Sequence, residues 1–150
     1  MKKILFVILC VLLTFTFISC NKINNGKLDD FSITIDENIK TYTGELPEDA
    51  LPFEEAVERA NNYLNIPPED PESTIVNVYE FSSDVVVSDN AYYYYGRWYK
   101  FDSKEKTAPD EEDFISEFFV SVNAQMVYFG DYDAENSRIN VNYGLAIKER

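Results

Sequence analysis

The chain has 150 residues, the length of one ordinary domain. It carries 27 aspartate and glutamate residues against 13 lysine and arginine residues, and the resulting formal net charge of −14 disfavours nucleic acid as a partner. There is no histidine, and one of the two cysteines, Cys10, lies in an apolar N-terminal stretch. Catalysis by a Cys–His or Ser–His pair is therefore excluded, as is a zinc site built from histidine or cysteine.

The first residues have the pattern of a secretion signal. A short positive segment, residues 1–3, precedes an apolar run, Ile4–Ile18, that only two threonines interrupt. A run of this length is typical of a signal peptide. A transmembrane helix is the alternative, but it needs about 20 apolar residues, and polar residues begin at Asn21. We predict a signal peptide over residues 1–19.

The apolar run ends in Phe17-Ile18-Ser19-Cys20, which resembles the signal of bacterial lipoproteins: an apolar residue at −3, a small residue at −1 and a cysteine that begins the mature chain. Phe17 departs from the leucine that is usual in the family. The resemblance implies a diacylglyceryl thioether on Cys20 and a fatty acyl group, such as palmitate, on the new N-terminus. Each buried CH₂ contributes about 0.8 kcal/mol, so several acyl chains hold a soluble domain on a bilayer. An unmodified thiol at Cys20 is the alternative.

The mature chain is therefore expected to be anchored by lipid to a membrane of the bacterial cell envelope, with its domain outside the cytoplasm. Residues 20–30 contain the lipidated cysteine and a polar segment, which we interpret as a flexible tether. Residues 31–150 are predicted to form a single α+β domain. Loss of Lys2 and Lys3 with the leader takes the net charge from −14 to −16, which disfavours self-association, so we expect a monomer.

Alternating apolar and polar residues mark the beginning of the domain. Phe31, Ile33 and Ile35 are separated by single polar residues, at the period of a half-buried strand. The polar segment Asp36–Asn38 predicts a turn, and Ile39–Thr43 predicts a short returning strand.

The segment after Pro52 has the periodicity of an amphipathic helix. Proline is tolerated at a helix start because its missing N–H group would be unpaired there, and Pro67 and Pro68 end the segment. One apolar stripe at helical spacing consists of Phe53, Ala56, Val57, Ala60 and Leu64. We predict one helix here, and its small residues would let it lie close to a sheet.

From Ser73 onward, β-branched and aromatic residues dominate and turn residues recur at short intervals. The predicted strands are Thr74–Phe81, Val85–Ser88, Tyr92–Phe101 with a break at Gly96, Phe118–Asn123, Met126–Phe129 and Ile139–Ile147 with a bulge at Gly144. The acidic loop Thr107–Asp113 is expected to include a helical turn at Asp110–Phe114. The fold class that follows is α+β, with one amphipathic helix packed on a mostly antiparallel β-sheet.

Two segments resemble the small PepSY-like domains of bacterial envelope proteins. The first is the helical segment Leu51–Leu64, and the second is a strand, an Asn-Ala turn and a further strand within Phe118–Tyr128. The positions that fit this second motif are Val120, Val122, Asn123, Ala124 and Val127. Gln125-Met126 stands where the family usually has Thr-Gly, and the insert Ser82–Asp113 is long. The resemblance implies an α+β envelope module without catalytic residues, which in some members inhibits or chaperones a peptidase.

The most unusual stretch is Tyr92–Tyr99, in which six of the eight residues are tyrosine or tryptophan. A strand sends alternate side chains to opposite faces, so a two-layer domain cannot bury all of these rings, and we expect one face of rings near solvent. Exposed tyrosine and tryptophan beside an arginine suit a glycan or a peptide. The candidate ligand-binding residues are Tyr92, Tyr94, Arg97, Trp98 and Tyr99. The alternative is cross-strand aromatic pairing that only stabilises the sheet.

Asp131, Asp133 and Glu135 occupy alternate positions, as acidic residues do at the beginning of a calcium loop. An EF-hand loop needs glycine at its sixth position and glutamate at its twelfth, where this chain has Asn136 and Asn142. In so acidic a chain a solvated loop is the simpler interpretation. We therefore predict no metal and no cofactor, with these three residues as the calcium alternative.

No catalytic residue is predicted, because the sequence has neither a G-x-S-x-G motif nor a glycine-rich phosphate loop. Two carboxylates acting on a glycan are a less favoured alternative, since the fold sets their distance. The function that we predict is a membrane-anchored envelope lipoprotein acting as a non-catalytic binding module for an envelope protein or glycan. A PepSY-like inhibitor or chaperone of an envelope peptidase is the alternative.

Overall fold

The computed structural model describes residue 33 and residues 35–148, and the predicted leader, Cys20 and tether lie outside these residues. The described part of the chain forms one helix and a six-stranded antiparallel sheet. Its elements are β1 (Thr41–Tyr42), α1 (Phe53–Leu64), β2 (Ile75–Ser88), β3 (Ala91–Asp102), β4 (Phe114–Ser121), β5 (Met126–Asp133) and β6 (Arg138–Ala146). The α+β class is confirmed in this broad form, with much more sheet than helix.

The strands lie in the sheet in the order of the chain, and each described neighbour pair is antiparallel. Short turns make this arrangement possible. Asp89 and Asn90 join β2 to β3 with φ angles of 49° and 63°, and a two-residue turn with two positive φ angles matches the twist of a hairpin. Ala124, after β4, and Ser137, before β6, each have a φ of 51°.

Helix α1 begins and ends where the sequence predicts. Pro52 precedes it, and beyond its last residue the Asn65 N–H donates to the Asn61 carbonyl oxygen at 2.9 Å. The buried positions of the helix are Ala56, Val57, Ala60 and Leu64. At the start of the helix, the Phe53 ring lies 5.3 Å from the Tyr94 ring, and the Tyr94 hydroxyl donates to the Leu51 carbonyl oxygen at 2.9 Å. These contacts join the beginning of α1 to β3.

The sheet has buried residues on both faces. We name the faces after Phe118 and Phe119, two adjacent and fully buried residues of β4. On the Phe118 face, the Phe118 ring packs against Phe81 and Phe129 at 5.0 and 5.9 Å. The cluster on the Phe119 face consists of Ile35, Ile39, Val86, Tyr95, Phe119 and Ile139. The cluster brings together residues of β2 and β6, although these strands are four positions apart in the sheet. A hydrogen bond from the Ile139 N–H to Ser88 Oγ at 2.9 Å also joins the two strands. The sheet is therefore curled around the Phe119 face.

Several predicted strand boundaries are wrong, among them the end of β5, which runs to Asp133, four residues beyond the predicted Phe129. β2 is continuous, because Ser82–Asp84 form an irregular segment opposite the single residue Tyr95 instead of ending the strand. β3 runs through Gly96 without a break, and the ring of Phe118 occupies the space that a side chain at Gly96 would need. β4 begins at Phe114, four residues before the predicted position.

The remaining differences concern the two ends of the domain. Ile33 and Ile35 are not in a strand in the described part of the chain, and burial against the Phe119 face accounts for their spacing. The turn after them is confirmed by a hydrogen bond from the Ile39 N–H to the Asp36 carbonyl oxygen at 2.9 Å. In β6 the register shift leaves Asn142 unpaired, so the bulge lies there and not at Gly144.

Candidate functional site

Four aromatic rings form a continuous line that crosses the strands on the Phe118 face. We call Tyr79, Trp98, Phe129 and Tyr143 the aromatic row. Tyr79 and Trp98 are stacked at 6.1 Å with 17° between their planes, and Phe129 and Tyr143 are stacked at 4.7 Å with 14° between theirs. An edge contact of 5.6 Å between Trp98 and Phe129 joins the two pairs. The row thus extends from β2 to β6.

The register of the sheet builds the aromatic row. Tyr79 lies directly opposite Trp98, and Phe129 lies directly opposite Tyr143. Between these pairs, β4 places Ser116 opposite Trp98. Because serine is small, the rings of β3 and β5 can meet across the strand between them.

The row rests on the core of the Phe118 face and is exposed in part. Tyr79 lies 5.8 Å from the buried ring of Phe118. Tyr143 is 46% exposed, Tyr79 and Trp98 are half-buried, and Phe129 is buried at 3% exposed. The indole N–H of Trp98 donates to Asn77 Oδ1 at 3.0 Å, which fixes the orientation of the ring. The row therefore offers oriented aromatic surface together with polar groups.

The two tyrosines of the row keep their protons at neutral pH. Burial and the neighbouring Tyr143 raise the pKa of Tyr79 above its ordinary value. Burial also raises the pKa of Tyr143. Both phenol groups are therefore neutral hydrogen-bond donors and acceptors at the edge of an aromatic surface.

The five ligand-binding residues predicted from the sequence lie on opposite faces of the sheet. Tyr92, Tyr94 and Trp98 point to the Phe118 face, and Arg97 and Tyr99 point to the Phe119 face. On the first face, only Trp98 joins the aromatic row, because Tyr94 is buried beside Phe53 and Tyr92 packs at 4.8 Å against Tyr42. The expectation that one whole face of rings stays near solvent is wrong. Tyr94 and Tyr95 are both buried, because the curled sheet has a core on each side.

Arg97 is held by an ion pair and by two aromatic rings. Its guanidinium donates to both carboxylate oxygens of Glu111 at 2.8 and 3.2 Å, and it lies 4.8 Å from the centre of the Phe114 ring and 5.3 Å from that of Tyr99. The hydrogen bonds to Arg97 lower the pKa of Glu111. Arg97 thereby fastens the short 3₁₀ turn Glu111–Asp113, where a helical turn was predicted, to β3.

Sequence reasoning missed Tyr79, Phe129 and Tyr143. Each lies in a segment that alternation identifies as a strand, and each occupies a position that points to one face. The residue that each one meets depends on the register of its strand with the next, however. Strand spacing in the sequence does not reveal that register, so the row could not be assembled from alternation alone.

A carboxyl group is half-buried on the Phe119 face. The Tyr95 hydroxyl donates to Glu117 Oε1 at 3.0 Å, and the Tyr132 N–H donates to Glu117 Oε2 at 2.7 Å. Burial raises the pKa of Glu117, although both hydrogen bonds oppose that shift. Burial and the neighbouring Glu117 likewise raise the pKa of Tyr95. The ionised form of Glu117 is therefore less favourable in the folded state than in water.

This raised pKa predicts a pH-dependent stability difference between the natural chain and Glu117→Gln. Below the ordinary carboxyl pKa near 4.5, Glu117 is protonated both folded and unfolded and contributes no penalty. As the pH rises through the pKa of the folded state, the natural chain should lose free energy of unfolding relative to the variant. Urea unfolding of both chains across this range measures the difference. A difference that is constant with pH contradicts the assignment, and Glu112→Gln controls for loss of one surface charge.

Asp131 and Asp133 of the calcium alternative lie in β5, and Asp133 is bonded to the turn that follows. Asp133 Oδ1 accepts a hydrogen bond from the Asn136 N–H at 3.0 Å, and its Oδ2 accepts one from Asn136 Nδ2 at 2.8 Å. These bonds lower the pKa of Asp133. In residue 33 and residues 35–148, no three histidine, cysteine or acidic side chains come together as a metal site would require, Asp131 and Glu135 included.

Comparison with known proteins does not assign the chain to a family. No protein-family model matches it, and no curated protein and no solved structure is significantly similar to it. Among the described residues, the helix present is too short and too polar to cross a bilayer. A function must therefore be inferred from the geometry of the aromatic row.

Proposed function

We propose that this chain is a lipid-anchored, non-catalytic binding module of the bacterial cell envelope, and that its aromatic row binds a glycan. The observation that carries the proposal is the row itself, in which ring contacts connect four residues of four strands. The C–H faces of sugar rings stack on aromatic rings, and phenol groups beside them hydrogen-bond to sugar hydroxyls. Tyr143, the most exposed ring of the row, supplies both kinds of contact, and Tyr79 and Trp98 are half-buried further along the row.

The remainder of the chain has supporting roles in this proposal. Lipid on Cys20 attaches the domain to a membrane, and the tether of residues 20–30 lets the aromatic row reach its ligand. Helix α1 packs on the Phe118 face beside the row and leaves Tyr143 exposed. The contact between Phe53 and Tyr94 supports that placement.

The charge of the chain favours a neutral glycan. A net charge of −14 repels acidic polysaccharides. Neutral oligomers of N-acetylglucosamine present flat C–H faces together with amide and hydroxyl groups, and this sugar occurs in bacterial wall glycans. They are therefore the probe that we choose.

Titration with an N-acetylglucosamine hexamer is expected to change the emission of Trp98, because Trp98 is the one tryptophan of the chain and lies within the row. The full-length chain in detergent is titrated and its fluorescence recorded, with heat of binding as a second readout. Tyr143→Ala should weaken binding about 10- to 30-fold, as expected for the loss of the most exposed aromatic contact of the row. Trp98→Phe should retain part of the affinity, because a ring remains.

Tyr63→Ala is the matched control, since Tyr63 is a half-buried tyrosine of α1 outside the row. It should bind as tightly as the natural chain. An emission that does not respond to the hexamer, or a Tyr143→Ala chain that binds as well as Tyr63→Ala, would overturn the glycan assignment. Far-ultraviolet circular dichroism of each variant establishes that the fold is intact.

A second candidate is an inhibitor or chaperone of an envelope peptidase, which the PepSY-like resemblance implies. The observation in its favour is the hairpin of β4 and β5, in which Asn123 and Ala124 form the turn. Asn123 Nδ2 also donates to Asp49 Oδ2 at 3.0 Å, so the turn is tied to the segment before α1. The discriminating assay is the rate of an envelope peptidase with and without the purified chain.

A further inference from the structure

Strand β6 lies at the edge of the sheet, where its outer backbone groups face away from β5. Residues 140–146 are all exposed. Two of its larger apolar side chains are prominent, Val141 at 50% exposed and Leu145 at 36%. Such an edge is a template for a further strand.

Hydrogen bonds at the two ends of β6 show which backbone groups point outward. The Ile147 N–H donates to the Gln125 carbonyl oxygen at 2.8 Å, toward β5. Since successive residues of an antiparallel strand point in opposite directions, the N–H groups of Ala146 and Gly144 point away from β5. At the other end, the outward N–H of Ile139 is already bonded to Ser88. The open part of the edge is therefore its C-terminal half.

The usual protection of an edge strand is missing from this segment. Natural edges carry proline, lysine or inward-pointing charge, and these block pairing with another chain. Ile139–Ile147 contains neither proline nor any charged residue, although the chain holds 27 acidic residues. Lys148 follows it, and Arg138, which precedes it, is paired with Asp133 at 3.7 Å. This is a neutral edge on a strongly acidic protein, with a lysine at its C-terminal end.

The C-terminal end of the edge opens into a cleft of about 630 Å³. The cleft is formed by the second half of α1, the β4–β5 turn and the residues after β6. Its lining includes Arg59, Asn62, Tyr63, Gln125, Ile147 and Lys148. Arg59 is already paired with Glu55 at 2.8 Å, so Lys148 is the cation that the cleft offers to a carboxylate group.

We propose that β6 binds an extended segment of a partner protein as an additional antiparallel strand, with acidic residues at the N-terminal end of that segment lying in the cleft beside Lys148. An antiparallel strand that pairs with Gly144 and Ala146 begins near Lys148, which is a lining residue of the cleft. A second copy of β6 fits less well, because its residues 139–147 include no acidic side chain to place beside Lys148. Two chains of net charge −14 would also repel one another.

The test uses the full-length chain in detergent and two synthetic peptides. One is acetyl-Glu-Glu-Val-Thr-Val-Thr-Val-amide, and the other carries two lysines in place of the glutamates. At millimolar concentration, the acidic peptide should slow amide hydrogen exchange at Gly144 and Ala146. The lysine peptide should bind at least about tenfold more weakly, by the same charge argument.

Two pairs of variants separate backbone pairing from charge. Ala146→Pro removes an outward N–H and should abolish protection at Gly144, whereas Ala146→Ser keeps that N–H and should behave as the natural chain. Lys148→Glu should reverse the preference between the two peptides. Lys100→Glu makes the same charge change at an exposed site of β3 and should leave the preference as it is.

Several results would overturn the proposal. These are equal binding of the two peptides, equal binding by Ala146→Pro and Ala146→Ser, and no change in exchange at Gly144. A dimer seen by sedimentation that Ala146→Pro dissociates would identify a second copy as the occupant and also overturn it. Trp98→Ala should leave peptide binding intact, so failure of the glycan assignment and failure of the strand assignment are distinguishable.

Discussion

Replacing Gly96 with alanine is expected to lower the free energy of unfolding by about 3 kcal/mol, the upper end of the usual cost of overpacking a core. A Cβ at this position would lie 2.5 Å from Cε2 and 2.6 Å from Cε1 of Phe118. The Phe118 ring cannot move aside, because Tyr79, Phe81 and Phe129 surround it. Gly96 is therefore a packing requirement of the Phe118 face.

Urea unfolding followed by the fluorescence of Trp98 measures this effect. The Phe118→Leu substitution, combined with Gly96→Ala, shortens the side chain that the new methyl group meets. The double variant should be more stable than the sum of the two single effects predicts, because residues in contact are not additive. Additive effects, or a Gly96→Ala chain as stable as the natural one, would mean that the ring of Phe118 does not lie over Gly96.

Phe119→Ala is expected to cost about 3–5 kcal/mol, the range for removing a buried phenylalanine. Phe119 is fully buried at the centre of the Phe119 face, with the Tyr95 ring 5.8 Å away. Its removal leaves a cavity that β2 and β6, whose residues share this cluster, cannot fill without changing the curl of the sheet. The loss should also weaken the hydrogen bond between Ile139 and Ser88.

Ile115→Ala is the matched control, because Ile115 lies on the same strand and is 48% exposed. Its cost should stay within about 0.5 kcal/mol, as for most surface substitutions. Denaturant unfolding measures both stabilities, and amide exchange at Ile139 reports on the closure of the curled sheet. Similar costs at the two positions would contradict the presence of a core on the Phe119 face.

The helix and most strands could be predicted because their signals are local. The stripe of α1 between Pro52 and Pro67 needs no knowledge of the rest of the chain, and the two-residue turn at Asp89 and Asn90 lies between two segments of strand-forming residues. The predicted break at Gly96 was wrong for the opposite reason. Glycine is required at this position by the Phe118 ring, which is 22 residues away in the chain, and no local pattern contains that information.

The aromatic row illustrates the same limit at the level of a site. Trp98 could be predicted from its position in the aromatic stretch. Tyr143 could not, because it stacks on Phe129 only when the register shift falls at Asn142 and not at Gly144. A shift of one residue turns a side chain to the other face. Arg97 and Trp98 are adjacent in sequence and were predicted to act together, yet alternation places them on opposite sides of the sheet.

The agreement between strand order and chain order has a consequence for how the domain is made. Apart from the closure between Ser88 and Ile139, each strand after β1 finds its partner in the strand that precedes it. From β2 to β6 each strand pairs with the next strand of the chain, and such local contacts favour rapid folding. In the export that we propose, a chain that emerges N-terminus first can pair every new strand with the one before it. Folding can therefore begin before the C-terminus has emerged, and the pairing of β6 is its last step.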